Sequence, residues 1–251
     1  MSHIQYDTDG AVALVTLAKP PHNLIDTALT DGIVAAYERA VAERKRCILL
    51  RSAMRHFCAG ADVNGFTSGA RRGDPRELLE RLESVPIPTI AAVHGAALGG
   101  GFELALTCDL IIAADTASIG MVEVTLGLLP LLGGVQRVAQ RAGPARAKEL
   151  ALFGRRHAPS VLEQFGIINL VVAEAELPAA SLSWARQLAA GPTIAYGQIK
   201  RLANIAAHEG MTAADAVQLE ANNTMWASED QKRGLAAFAA TGPNTAVFEG
   251  T

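Results

Sequence analysis

The chain predicts a single α/β domain with a strand-rich core and a helical C-terminal third. Three observations carry that expectation. Short β-branched apolar runs alternate with amphipathic stretches in the first half, and from Gly134 onward strand-like runs nearly vanish. No repeat, low-complexity tract or linker separates the two regions. Half of the 251 residues are hydrophobic and 19% are charged, which supplies one substantial core and argues against disorder. The expected domain spans residues 1–251, with the core over about 1–190 and the helical region over about 191–251.

Each element has a local reason. "AVALVTL" (11–17) is apolar and β-branched, hence a strand, and the prolines of "KPPHN" stop it. Residues 26–43 follow a helical period, with Asp26 as N-cap and Ile33, Val34, Tyr37 and Val41 on one apolar face. "CILLRSA" (47–53) predicts a short buried strand, and "RHFCAGAD" (55–62) a glycine-containing turn after it. A helix over 76–85 ends at "PIP"; buried strands follow at 89–95 and 109–115. Beyond Gly134 only "GIINLVV" (166–172) reads as a strand, and helical patterns occupy 135–143, 145–154, 177–190, 192–207 and 212–228.

Composition excludes several functions. A net charge of −3 and the absence of a basic stripe argue against a nucleic-acid partner; "ERKR" (43–46) is short and closes an amphipathic segment. Cys47, Cys58 and Cys108 sit in apolar surroundings without ligand spacing, as small buried hydrophobes do. The N-terminal "MSHIQYDTDG" has neither a signal peptide's apolar region nor a transit peptide's Arg/Ser richness, and no apolar run reaches membrane-spanning length. The expectation is a soluble cytoplasmic protein with no membrane partner.

The chemistry concentrates in "IAAVHGAALGGGFELALTCD" (90–109), where Gly99, Gly100 and Gly101 separate a buried strand from a helical pattern. The dinucleotide fingerprint G-x-G-x-x-G is out of register here, and no GK[ST] follows, so neither nucleotide-binding motif is present. Glycine permits close backbone approach, and a helix N-terminus presents free N–H groups to a resting anion or a developing oxyanion. The same glycines also suit tight strand–helix packing and nothing more. "FCAGAD" (57–62) offers a second small-residue turn able to present another N–H. Glu103 and Glu123 each stand in apolar sequence with few basic residues nearby. Desolvation raises a carboxyl pKa, which suits general acid–base work near neutrality; capping a helix or bonding loop amides is the structural alternative. A serine hydrolase elbow is missing around Ser118, the six histidines are scattered without HExxH, and His94 reads as a hydrogen-bonded structural histidine.

"FCAGADV", "PTIAAVHGAALGGGFELALTCDLIIAAD" and "GMVEVTLGLLPLLGGVQRV" resemble the signature segments of the crotonase superfamily, in its enoyl-CoA hydratase/isomerase branch. The likeness runs from "LAKPPHNLID" to "EDQKRGLAAF". It implies a crotonase-like spiral of ββα units with a C-terminal helical trimerisation region, and a homotrimer or homohexamer. It further implies an acyl-CoA substrate and no cofactor beyond the coenzyme A that the substrate carries. Position by position, Ala61 and Gly100 match the two oxyanion N–H donors, and Glu103 and Glu123 the two catalytic acids of the hydratases. Ala59, Ala61, Asp62, Val63, Asn64, Gly99, Gly100, Arg55 and Lys19 match substrate- and CoA-binding positions. Syn hydration of a 2-enoyl-CoA is the implied reaction. Δ3–Δ2 enoyl-CoA isomerisation is the runner-up, thioester hydrolysis and decarboxylation stay open on the same scaffold, and a non-catalytic CoA-binding subunit is the alternative from another class. The chain departs from the family at Pro130-Leu131-Leu132-Gly133-Gly134, where "PGAGG" is usual. It departs again in "RGLAAFAATGPNTAVF" (233–248), where Arg233 replaces an acid and a basic pair is missing.

Overall fold

The computed structural model describes residues 3–62 and 74–251. Its centre is a six-stranded sheet in the order β1-β2-β3-β4-β6-β8: Ile4–Asp9, Val12–Leu17, Cys47–Ser52, Thr89–Val93, Leu110–Ala114 and Leu170–Val172. The pair β1–β2 is antiparallel and every other pairing is parallel. Both faces of the parallel part are covered, which is why its strands read as unbroken apolar runs rather than alternating ones. The period of two is still present inside those runs. Ala13, Val15, Leu17, Ile48, Leu50, Ala91 and Val93 enter one core, against α1 (Thr27–Ala42). Their neighbours Val12, Leu14, Leu49, Ile90 and Ala92 enter another, against Leu177, Ala185 and Ala189 of α6 (Leu177–Ala189).

Two consecutive turns of chain position the site. In each, a strand of the large sheet is followed by a three-residue strand of a second sheet and then by a helical segment. The first runs β4, β5 (Ala96–Leu98), α3 (Gly100–Leu106); the second runs β6, β7 (Ser118–Gly120) and a 3₁₀ turn at Glu123–Leu126, followed by α4 (Gly134–Phe153). Strands β5 and β7 pair in parallel, Leu98 opposite Gly120, so the residues that follow each strand emerge side by side.

The remaining helices largely follow the sequence pattern. Asp26 caps α1 by accepting from the Leu29 N–H at 2.9 Å. α2 (Pro75–Glu83) has Asp74 as its cap. α4 is interrupted at Gly143 (φ +83°) before Pro144, matching the two separate helical patterns expected there. α5 (Pro159–Gln164) precedes β8, α7 (Thr193–Glu209) and α8 (Met211–Trp226) pack together, and α9 (Glu229–Thr241) is a helix that the pattern analysis did not single out. The strand expected over 166–172 is shorter than its composition suggests. The Ile167 and Ile168 N–H groups both bond the Leu162 carbonyl, closing α5, and only Leu170–Val172 pair with β6. Arg233 replaces the expected acid without leaving a gap. It bridges the buried Asp230 (2.9 Å) and Glu249 (2.6 Å), and Asp230 also accepts the Glu249 and Gly250 N–H groups, so the C-terminal segment folds back onto α9. No helix among the described residues is long and apolar enough to cross a membrane.

Candidate active site

The first half of the site is a pair of amides. Residues 57–61 run beside β5: Phe57 and Cys58 N–H groups bond the His94 and Ala96 carbonyls, and Leu98 N–H returns to Cys58. Asn23, fully buried, pins this turn by donating from Nδ2 to the His56 and Phe57 carbonyls and to Ser52 Oγ. The Ala59 N–H bonds His22, and Ile25 bridges Gly60 and Asp62, so the segment 22–25 holds the turn from its other side. Ala61 is thereby brought against the start of α3: a Cβ on Gly100 would lie 3.7 Å from the Ala61 nitrogen. Gly100 is the first residue of α3, where no intrahelical acceptor exists, and neither its N–H nor that of Ala61 meets an acceptor among the described residues.

The second half is a pair of acids. Glu103 lies on the first turn of α3 and is 1% exposed. Its Oε1 accepts the Leu132 and Gly134 N–H groups, both at 2.8 Å, and its Oε2 accepts that of Leu131 at 3.2 Å. Thus the "LLGG" segment wraps the carboxyl with main-chain donors at the entrance to α4. Gly134 is required there, since a Cβ would stand 2.8 Å from Glu103 Cγ. Glu123 opens the 3₁₀ turn, and its carboxyl lies over Gly99, whose φ is +50° and where a Cβ would stand 2.9 Å from Glu123 Oε1. Among the described residues, neither buried oxygen of Glu123 meets a donor in hydrogen-bond geometry.

The two carboxyls face and perturb one another. Burial pushes Glu103 up to about 7, opposed by its three amides and reinforced by the charge of Glu123. Burial also raises Glu123, while its own amide and the Glu103 carboxyl oppose the rise. Two carboxyls that interact in this way titrate as a pair, and both are shifted towards neutrality. A testable consequence follows for stability. Because the folded-state pKa of Glu103 exceeds its ordinary value, the stabilisation from its protonated form is full below about 4.5 and is lost as pH rises through about 7. The loss is on the order of 3 kcal/mol. Glu103→Gln should abolish that slope, so the difference in unfolding free energy between variant and wild type should move in the variant's favour from pH 5 to pH 8. Parallel denaturation curves across that range would contradict it.

The other positions that the resemblance marked are dispersed. Ala59 and Asp62 lie on the pinned turn, and Val63 and Asn64 fall outside the described residues. Lys19 is engaged by Asp26 at 2.6 Å and by the Leu24 carbonyl at 2.8 Å, whereas Arg55 is exposed beside His56. His94 Nε2 lies 2.8 Å from the Met54 carbonyl, the structural bond expected of it. Burial raises all three cysteine thiols, which keeps them neutral. Sequence reasoning assigned no role to Asn23 or Arg137, and noted Gly133 and Gly134 only as part of a departure from the family pattern. A glycine pair opening a helix, with Arg one turn later, was the available signal.

The comparisons agree with this architecture. The enoyl-CoA hydratase/isomerase family model matches residues 7–249, and the chain belongs to that family, an enzyme of the hydratase/isomerase type on a crotonase fold. It is 35% identical, over 93% of each chain, to a Rhizobium meliloti protein named "Probable enoyl-CoA hydratase". A Bacillus subtilis protein of the same name is 32% identical, covering 95% of this chain and 96% of the relative. Among solved structures, the Geobacillus kaustophilus HTA426 "Enoyl-CoA Hydrates Subunit I" superposes with a TM-score of 0.91 at 36% identity, covering 99% and 98% of the two chains. An enoyl-CoA hydratase from Bacillus anthracis superposes with a TM-score of 0.90 at 30% identity, covering 99% of this chain and 100% of that one.

Proposed function

We propose that this enzyme hydrates 2-enoyl-CoA thioesters by syn addition of water. The observation that carries the reading is the meeting of two perturbed carboxyls, from consecutive turns of the fold, beside two adjacent amides without acceptors. In this reading the Ala61 and Gly100 N–H groups receive the thioester oxygen and stabilise the enolate-like charge that develops there. Glu103 and Glu123 hold a water between them. The ionised member of the pair removes its proton as oxygen adds to Cβ, and the protonated member delivers a proton to Cα. One shared proton is the stoichiometry this chemistry needs. Leu132 Cδ1 stands 3.8 Å from a Cβ built on Gly100, so the surroundings of that amide are apolar.

Following the enoyl-thioester absorbance of crotonyl-CoA tests the reading. Turnover by the wild type, lost in both Glu103→Ala and Glu123→Ala, supports hydration. Turnover of a 3-enoyl-CoA that survives loss of one glutamate makes the enzyme an isomerase, and binding without turnover makes it a non-catalytic subunit. For the hydratase, kcat/KM should fall as pH rises through about 7, where Glu103 ionises, and fall again towards acid as Glu123 is protonated. The proposal includes self-association into a trimer or hexamer. Exposed apolar side chains on the 3₁₀ turn and the C-terminal helices, among them Leu126, Leu219, Trp226 and Phe238, support it.

A further inference from the structure

We propose that the Glu83–Arg137 ion pair positions the Glu103 carboxyl by fixing the Gly133 carbonyl, and with it the amides of Leu131, Leu132 and Gly134. This rests on the hydratase reading for its kinetic consequence, though not for its geometry. Arg137 lies on the first turn of α4 and is 8% exposed. Its Nε and Nη2 engage the two oxygens of Glu83, the last residue of α2, at 2.6 and 2.5 Å. The remaining nitrogen, Nη1, donates to the Gly133 carbonyl at 3.2 Å, and the same carbonyl accepts the Arg137 N–H at 3.2 Å. Gly133 has φ +76°, and a Cβ on it would stand 2.2 Å from Nη1, so only glycine lets the guanidinium lie against this backbone. The adjacent glycine, Gly134, accommodates Glu103 in the same way. The two residues thus form one hinge of main chain, gripped by the guanidinium at Gly133 and gripping the carboxyl from Gly134.

Position, not charge, is what the pair transmits, because Glu83 neutralises Arg137 at hydrogen-bond distance. Among the described residues, the groups that face Glu103 are few. Glu123 approaches from the 3₁₀ turn, and Arg137 with Glu83 stands behind the first turn of α4. Cys58, neutral through burial, lies across from Gly101, and β5 carries no titratable side chain. Arg141, farther along α4, is committed to the Leu106, Cys108 and Ile167 carbonyls, while Asp109, beyond the end of α3, pairs with Lys200.

The test compares wild type with Glu83→Gln, Arg137→Lys and the double variant Glu83→Leu/Arg137→Met. Lysine keeps the charge but not the three-way fork, and the double change leaves neither charge orphaned in the interior. Loosened amides should lower kcat for crotonyl-CoA between about 10- and 100-fold with KM little changed. They should also move the alkaline limb of kcat/KM to higher pH, because donors that favour the ionised Glu103 are lost. The carbon-13 carboxyl titration of Glu103, assigned by its disappearance in Glu103→Gln, reads the same displacement without any turnover. Lower melting temperatures with an unchanged kcat per folded molecule and an unchanged titration would overturn the proposal and leave the pair a brace. If the wild type hydrates nothing but the titration still moves in the variants, the positioning role stands and the hydratase reading falls.

Discussion

Glutamine in place of Glu123 is expected to lower kcat for crotonyl-CoA hydration by about 10²- to 10⁴-fold, the range general acid–base catalysis contributes. The protein's melting temperature should be unchanged or higher. Both expectations come from the same environment. Among the described residues the buried oxygens of Glu123 have no donor in good hydrogen-bond geometry, and only its own amide and the Glu103 carboxyl act on it, so the substitution breaks little. It also removes a charge that burial penalises, which is the usual way an active site trades stability for chemistry. What it deletes is one of the two groups that, in the proposed mechanism, divide the proton transfers between water and carbon. Steady-state kinetics beside a thermal melt decides the matter. Retained hydration with a lowered melting temperature would mean that Glu123 is structural. Glu103→Gln is the informative contrast, because glutamine can keep the Leu132 and Gly134 donors only by turning its NH₂ towards the Leu131 N–H.

The unequal legibility of these residues has a physical basis. Glu103 and Glu123 stand out in the sequence because an acid among apolar neighbours contradicts the local pattern, and such contradictions gather at functional sites. The strands β2, β3, β4 and β6 are equally plain, being β-branched runs between turn signals. The polar edge strand β1 (IQYDTD) has a weak period, and the three residues of β5 or β7 are too few to show one. Yet the β5–β7 register is what sets the two acids side by side. Asn23 reads as an ordinary loop residue beside prolines, although its amide holds the turn that presents Ala61. Glu83 and Arg137 are separated by 54 residues, and nothing in either local context announces the other. Local chemistry is therefore visible in one sequence, whereas the supports that aim it are long-range contacts and are not.

Gly101→Ala should damage folding and turnover together, more than any other of the site's glycine substitutions. A Cβ on Gly101 would lie 2.1 Å from the Cys58 carbonyl oxygen and 2.8 Å from its carbonyl carbon, both main-chain atoms. No side-chain rotation relieves that contact, so α3 or the 57–61 turn must move. Overpacking of this kind costs about 1–3 kcal/mol, and occasionally more. The movement also parts Ala61 from Gly100, and loss of one oxyanion donor costs roughly 10²- to 10³-fold in kcat. Gly100→Ala is the discriminating companion. Its Cβ would meet Ile25 Cδ1 at 3.2 Å, the end of a flexible side chain, and its N–H survives. That variant should fold nearly as well as wild type and lose activity chiefly through the methyl group's intrusion beside the thioester. Gly10→Ala, where a Cβ meets nothing within 4 Å but φ is +56°, controls for backbone strain alone. Chemical denaturation of the three variants, with kcat measured on the folded fraction, should rank Gly101→Ala as the most damaging in both respects. A Gly101→Ala protein as stable and active as Gly10→Ala would show that the 57–61 turn yields without consequence, and that two amides held at a fixed separation are not what the reaction uses.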